Sequence, residues 1–196
     1  FAVQARGPLV QDVHRTMQHV WQRVRNVKDL RRTWLQGALT SHRQRAPTTV
    51  AAGERTGPGA RAALVLRDNL RHRAHIERAY RRAIGRARHE VIIANAYFVP
   101  GRKMRAALIS AARRGVQVRL LLQGRYEYFM QYYAARPIYG ALLREGVEIH
   151  EYSASFLHAK VAVIDGRWAT VGSSNLVPLS LLLAREAHLV IGDTAF

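Results

Sequence analysis

The stretch LHAKVAVIDGRWATVGSSN, Leu157 to Asn175, decides how this 196-residue chain is read. His158 and Lys160 stand two apart in a run of Leu, Ala, Val and Ile that predicts a buried strand, so both side chains leave the same sheet face. Asp165 and Gly166 predict a hairpin turn, after which Trp168 to Val171 return as a second strand. That return brings Gly172, Ser173, Ser174 and Asn175 back toward His158 and Lys160. An imidazole, an ammonium, an amide and hydroxyls in one place suit a phosphodiester, because attack on phosphorus builds negative charge on oxygens that fixed donors stabilise.

Upstream of this stretch, Val147 to Tyr152 predicts a strand and Ile138 to Arg144 a helix closed by Gly146. Val116 to Leu122 and Val91 to Phe98 read as strands, separated by a helix over Met104 to Arg114 with Gly115 behind it. Ile76, Ala79, Tyr80, Ala83, Ile84 and Ala87 mark an amphipathic helix, and Ala62 to Leu66 a strand before it. Strand, helix and strand in this order predict parallel crossovers and an α/β fold. Downstream, Pro178 opens a helix through Leu183, and Ala187 to Ile191 form a last strand.

The amino-terminal part is organised differently. Phe1 to Arg6 alternates like a strand end, and Gly7-Pro8 opens a helix whose stripe of Val10, Val13, Met17, Val20, Trp21 and Val24 is expected to cover a sheet, with a membrane-surface helix as the alternative. A second short helix is expected over Asp29 to Leu39. From Thr40 to Ala60 periodicity gives way to Ser, Thr, Pro, Gly and Arg. The expected organisation is therefore a helical segment over residues 1–40, a linker or exposed loop over 41–60, and a domain over 61–196.

Composition bounds the partners. There are no cysteines, which excludes disulfides and thiolate metal sites. The net charge is +18, and residues 1–100 hold 19 Lys or Arg against 6 acids, so the basic excess lies mostly in the first half. Such a surface favours anionic membranes or nucleic acid. No apolar run is long enough to span a bilayer. Tyr126, Tyr128, Phe129, Met130, Tyr132 and Tyr133 crowd eight positions, either at an interface, where aromatic rings prefer to lie, or in a loop and helix packed on the domain. His150 and His158 are eight apart with no acid cluster beside them, so no metal site is expected.

The spacing His158-x-Lys160, four residues, Asp165, six residues, Gly172-Ser173-x-Asn175 resembles the HKD motif of the phospholipase D superfamily. Those six identities at fixed offsets would coincide by chance on the order of once in a hundred million starting positions. The runs ANAYFVPG (94–101), LLQGRYEYFMQYYAARPIYGALLREGVEIHEY (121–152) and VGSSNLVPLSLLLAREAHLVI (171–191) resemble the carboxyl-terminal half of bacterial cardiolipin synthases of the B type. Residues 1–50 more weakly resemble the segment after a first HKD motif. Relatives usually carry Asp at Val177 and Asn at His188, departures that bear on acceptor specificity.

The resemblance implies a mixed sheet flanked by helices on both faces, catalysis without a cofactor, and phosphatidyl transfer between phosphatidylglycerol molecules through a phosphohistidine. It implies His158 as general acid and base, with nucleophile as the alternative, and Lys160 and Asn175 on the phosphate. Glu186 would orient the catalytic imidazole or else lie on the surface; Ser173 would add a donor or else serve the turn. Asp165 and Gly172 would be structural. Implied partners are anionic phospholipid, the cytoplasmic membrane surface in a peripheral association, and a second HKD lobe, since this sequence has one His-x-Lys. A single-motif homodimeric nuclease and an inactive basic membrane-binding fragment are the alternatives.

Overall fold

The computed structural model describes residues 3–33, 60–67, 74–125, 129–177 and 186–192. The chain runs α1 (Pro8–Thr33), β1 (Arg61–Arg67), α2 (His75–Arg86), β2 (Glu90–Asn95), α3 (Arg102–Arg113), β3 (Gln117–Gln123), α4 (Phe129–Leu143), β4 (Glu148–Tyr152), β5 (Lys160–Ile164), β6 (Trp168–Gly172) and β7 (Glu186–Gly192). The expected linker over 41–60, except Ala60, the helix from Pro178 and the aromatics Tyr126 and Tyr128 lie outside the described residues.

The strands form one sheet in the order β1-β7-β6-β5-β2-β3-β4. Pairing is parallel for β2 with β3 and β3 with β4, and antiparallel for β1 with β7, β7 with β6, β6 with β5 and β5 with β2. Hence β1, β2, β3, β4 and β6 point one way, and β5 and β7 the other. This is the mixed α/β architecture expected from the sequence.

The crossovers through α2, α3 and α4 step in the same direction along the sheet, so right-handed connection puts all three helices on one face. There Ile76, Tyr80 and Ile84 of α2 and Met104, Leu108 and Ala111 of α3 pack with Val91, Ile93, Val118, Leu120 and Leu122. Leu142 of α4 closes the same cluster. Fully burying each such aliphatic side chain contributes about 1.5–3 kcal/mol before ordering costs. The opposite face carries a smaller cluster of Ala94, Leu157 and Ala159.

Several boundaries differ from the sequence reading. α1 continues through residues 25–28 instead of dividing into two helices; Arg25, Asn26, Val27 and Lys28 include no Gly or Pro to break it. It lies against β1. Its apolar stripe is divided: Val13 and Val20 are half-buried beside buried Thr16, whereas Val10, Met17 and Trp21 are exposed. Residues 3–6 form no strand. α4 begins at Phe129 and runs through Pro137, which lacks the N–H of a normal helical bond. β2 stops at Asn95, and Phe98 makes an isolated bridge to Leu176.

The β5–β6 turn is built by two residues of positive φ, Asp165 at 52° and Gly166 at 61°. Consecutive positive φ values match the twist of a tight hairpin and favour an Asp-Gly sequence. The Asp165 carboxylate also accepts backbone N–H bonds from Arg88 at 2.8 Å and from His89 and Glu90 at 2.9 Å each. Its own N–H donates to the Glu90 carbonyl at 3.1 Å. Burial opposes ionisation of this carboxyl, but the N–H donors of Glu90, Arg88 and His89 outweigh it and hold the group below the usual carboxylate range. Asp165 thus ties the far end of β5 to the start of β2. Replacing it by Ala should lower unfolding stability by about 1–3 kcal/mol, measured by urea denaturation, because three N–H groups lose an ionised acceptor. An unchanged midpoint would remove this clasp from the account.

Candidate active site

The ends of five strands converge at one edge of the sheet. Cross-strand pairing aligns Asn95 with Lys160, Gly172 with His188, and Arg67 with Glu186. The pairing of Val161 with Val171 then sets Gly172 level with Lys160. Paired residues share a face, so Asn95, Lys160, Gly172, His188, Glu186 and Arg67 belong to the same side of the sheet, at the carboxyl ends of β1, β2 and β6. That is the helix-covered side.

β5 begins at Lys160, so His158 sits on the extended segment leading into it, exposed, while Lys160 is buried. The two side chains meet, with Lys160 Nζ 2.9 Å from His158 Nε2. An ammonium has only hydrogens to offer, so Nε2 is the acceptor and its lone pair faces the site.

The loop after β6 is tied to β7. Ser173 N–H donates to the Ala187 carbonyl at 3.0 Å, and Ala187 N–H donates to Ser173 Oγ at 3.1 Å. Ser173 Oγ donates in turn to the Glu186 carboxylate. Glu186 therefore meets Ser173, and its hydrogen bond is with that hydroxyl instead of the His158 ring. Arg67, 2% exposed, donates from Nη1 to Ser174 Oγ at 3.2 Å. Burial lowers the affinity of its guanidinium for the proton, and the charge of Glu186 partly offsets this.

His188 is the most enclosed titratable group here, 1% exposed. Its Nδ1 is 3.0 Å from Thr170 Oγ1, and its Nε2 accepts the Ser174 backbone N–H at 3.2 Å. Burial pushes its pKa down to about 4, with the cations Arg67 and Lys160 acting in the same direction. Gly172 lies flat against this ring: a Cβ there would fall 2.4 Å from the ring carbons and 2.4 Å from the Ala187 carbonyl oxygen. The motif's glycine is thus required by close approach.

Asn175 follows directly, half-buried, and its Oδ1 has no hydrogen-bond partner. Asn95 is fully buried; its Oδ1 accepts the Leu176 N–H at 3.4 Å, while its Nδ2 has no partner. A cleft of about 320 Å³ opens beside Asn175, lined by Arg67, Ile76, Glu77 and residues 100–104 and 174–177. Val177, where an acid was expected from resemblance, is on that wall. Among the described residues no group of three or more His, Asp or Glu is placed to hold a metal ion.

Sequence reading singled out His158, Lys160, Ser173, Asn175 and Glu186, and noted His188 as a departure. It missed Arg67, Asn95 and Thr170. The available signal was a polar or charged residue inside or ending an apolar strand.

This sheet and the motif at its edge define a phospholipase D-like domain. The family model for the PLD-like domain of cardiolipin synthase matches residues 80–196, and the chain belongs to that family. It is 43% identical over 197 aligned residues to cardiolipin synthase B of Salmonella typhi and, equally, to that of Escherichia coli strain K12. Each alignment takes in 100% of this chain and 44% of the relative, so the chain spans less than half the length of these relatives. The fold is similar to that of Nuc from Salmonella typhimurium, a solved phospholipase D family member, with a TM-score of 0.56 at 20% identity over 67% of this chain and 84% of that one.

Gly172→Ala should destabilise the domain by about 1–3 kcal/mol or more, because the new methyl meets a buried ring and a backbone carbonyl that cannot both retreat. Thermal unfolding unaltered by this substitution would contradict the contact. For His188, the folded pKa of about 4 lies below the ordinary 6.5, so the unfolded chain takes up a proton first as pH falls. The associated stability is complete above pH 6.5 and is lost as pH drops toward 4, a total of about 3 kcal/mol. His188→Asn should flatten that part of the stability profile, read from denaturant midpoints across pH 4 to 7.

Proposed function

We propose that this chain is the carboxyl-terminal lobe of a cardiolipin synthase, transferring a phosphatidyl group from one phosphatidylglycerol to the primary hydroxyl of another. The observation that carries this reading is the 2.9 Å contact of His158 Nε2 with Lys160 Nζ at the mouth of a family-typical motif. A phosphate oxygen competes for the Lys160 ammonium, and its arrival would free Nε2 to carry the proton that the leaving oxygen needs and to take one back from the acceptor. Asn175 supplies an amide to a second oxygen. Ser173 and Glu186 form the wall behind.

Two steps balance the reaction. In the first, an imidazole nitrogen bonds to phosphorus of the donor, the phosphorus–oxygen bond to glycerol breaks, and a general acid returns a proton to that oxygen. In the second, the acceptor hydroxyl bonds to phosphorus, its proton goes to the general base, and the phosphorus–nitrogen bond breaks. Two phosphatidylglycerols become cardiolipin and glycerol, and the phosphodiester is never given up to water. His158 serves as the acid and base; the nucleophilic imidazole belongs to a second HKD lobe, in the same polypeptide or another. The buried Lys160 holds charge in transition states where water is scarce.

The substrates place the enzyme at the cytoplasmic membrane as a peripheral protein. The +18 charge supports attraction to anionic lipid, and among the described residues no helix is long and apolar enough to cross a bilayer. The same charge is what a nuclease would use on nucleic acid. The test separates the two.

The full-length gene product, assayed on phosphatidylglycerol vesicles, should form cardiolipin and glycerol in equal amounts. His158→Ala should lower the rate at least about a thousandfold, as expected for loss of a proton-transfer group that acts with the nucleophile. Unimpaired turnover by that variant would overturn the assignment, and nucleic-acid cleavage without lipid turnover would replace the synthase reading.

A further inference from the structure

β7 lays three consecutive residues along the Ser173–Asn175 loop. Glu186 takes the Ser173 hydroxyl, Ala187 exchanges two bonds with Ser173, and His188 takes the Ser174 N–H. The β6–β7 ladder ends with Ser173, so the next N–H has no strand carbonyl in register. Ser174 is 2% exposed, shielded from bulk solvent. An unsatisfied N–H at that depth would be costly.

Polarity runs one way through the ring. A backbone N–H only donates, so Nε2 of His188 is an acceptor and the ring proton sits on Nδ1. Nδ1–H then donates to Thr170 Oγ1 at 3.0 Å, and the Thr170 hydroxyl donates to the Leu189 carbonyl at 2.9 Å. Each group has a single role, which leaves the imidazole neutral and in one tautomer. Tyr80 stands edge-on to the ring at 5.9 Å, and Gly172 admits it from below. Arg67 holds the Ser174 hydroxyl from the other side.

We propose that His188 is a positioning residue for the reaction: by accepting the Ser174 N–H it fixes the loop torsions that set the Asn175 amide at the phosphate site. An apolar side chain of similar volume could fill the space but would leave the N–H free to turn. Only the backbone of Ser174 lies between that bond and Asn175. The role rests on the reading of Asn175 as a phosphate donor, and its structural part can be tested separately.

Two variants of the full-length gene product make the test. His188→Asn keeps an amide oxygen that can accept the Ser174 N–H; His188→Leu keeps bulk without an acceptor. On phosphatidylglycerol vesicles the Leu variant should lose at least about tenfold in kcat with KM within about twofold, and the Asn variant should stay within about threefold of wild type, since misplacement near 1 Å costs up to a hundredfold. A folded Leu variant with full kcat, or an Asn variant as impaired as Leu, would overturn the proposal. Nitrogen NMR of the wild type should show an unprotonated, hydrogen-bonded Nε2 on His188, and the Asn175 side-chain amide signals should move in the Leu variant but hold in the Asn variant. A protonated Nε2, or Asn175 signals indifferent to both changes, would also overturn it. If the wild type turns over no phosphatidylglycerol, the synthase reading fails while the NMR outcomes still decide this one.

Discussion

The register of the β5–β6 hairpin is the constraint on which the active edge depends. A slip of one residue would send Lys160 to the opposite face of the sheet and separate it from Asn95, Gly172 and His188 together. Asp165 prevents that slip twice over, by adopting a positive φ that a tight turn demands and by accepting three N–H groups from the start of β2. A residue at the end of the sheet remote from the candidate site therefore fixes where Lys160 and the side chains level with it emerge.

From that register the remaining site follows by pairing. β6 ends in Gly172, whose lack of a side chain lets the ring of His188 close on the backbone. β7 meets the loop that carries Asn175, and β1 brings Arg67 against the same loop. The charged groups are distributed by depth. His158 is exposed, Lys160 and Arg67 are buried, and Glu186 stands opposite Arg67 in the strand pairing.

Much of this was legible in the sequence because strands and motifs are local. Apolar and β-branched runs located β2, β3 and β5, and the turn at Asp165-Gly166 set the hairpin that returns as β6. Fixed spacing identified His158, Lys160 and Asn175 as a set. Non-local facts were not legible. Nothing in the residues near Arg67 says that it will reach Ser174, 107 positions away, since that contact exists only after β1 pairs with β7. Thr170 looked like an ordinary strand residue until His188 stood beside it. Helix limits differed for another reason: α1 continues through residues 25–28, where no Gly or Pro stops it, and α4 starts at Phe129, before the expected Ile138, with Pro137 inside it.

β5 behaves as a beam clamped at Ile164-Asp165 and laterally bonded on both sides by β2 and β6. Lys160 is five residues from the clamp, roughly 17 Å along an extended strand. Such a member neither slides nor bends readily, and the loop from Ser173 to Asn175 is bonded to β7, so any adjustment to a bound molecule falls to the exposed segment that bears His158. The fold thereby separates a fixed side, Lys160 and the loop of Asn175, from a single exposed flank, the segment of His158.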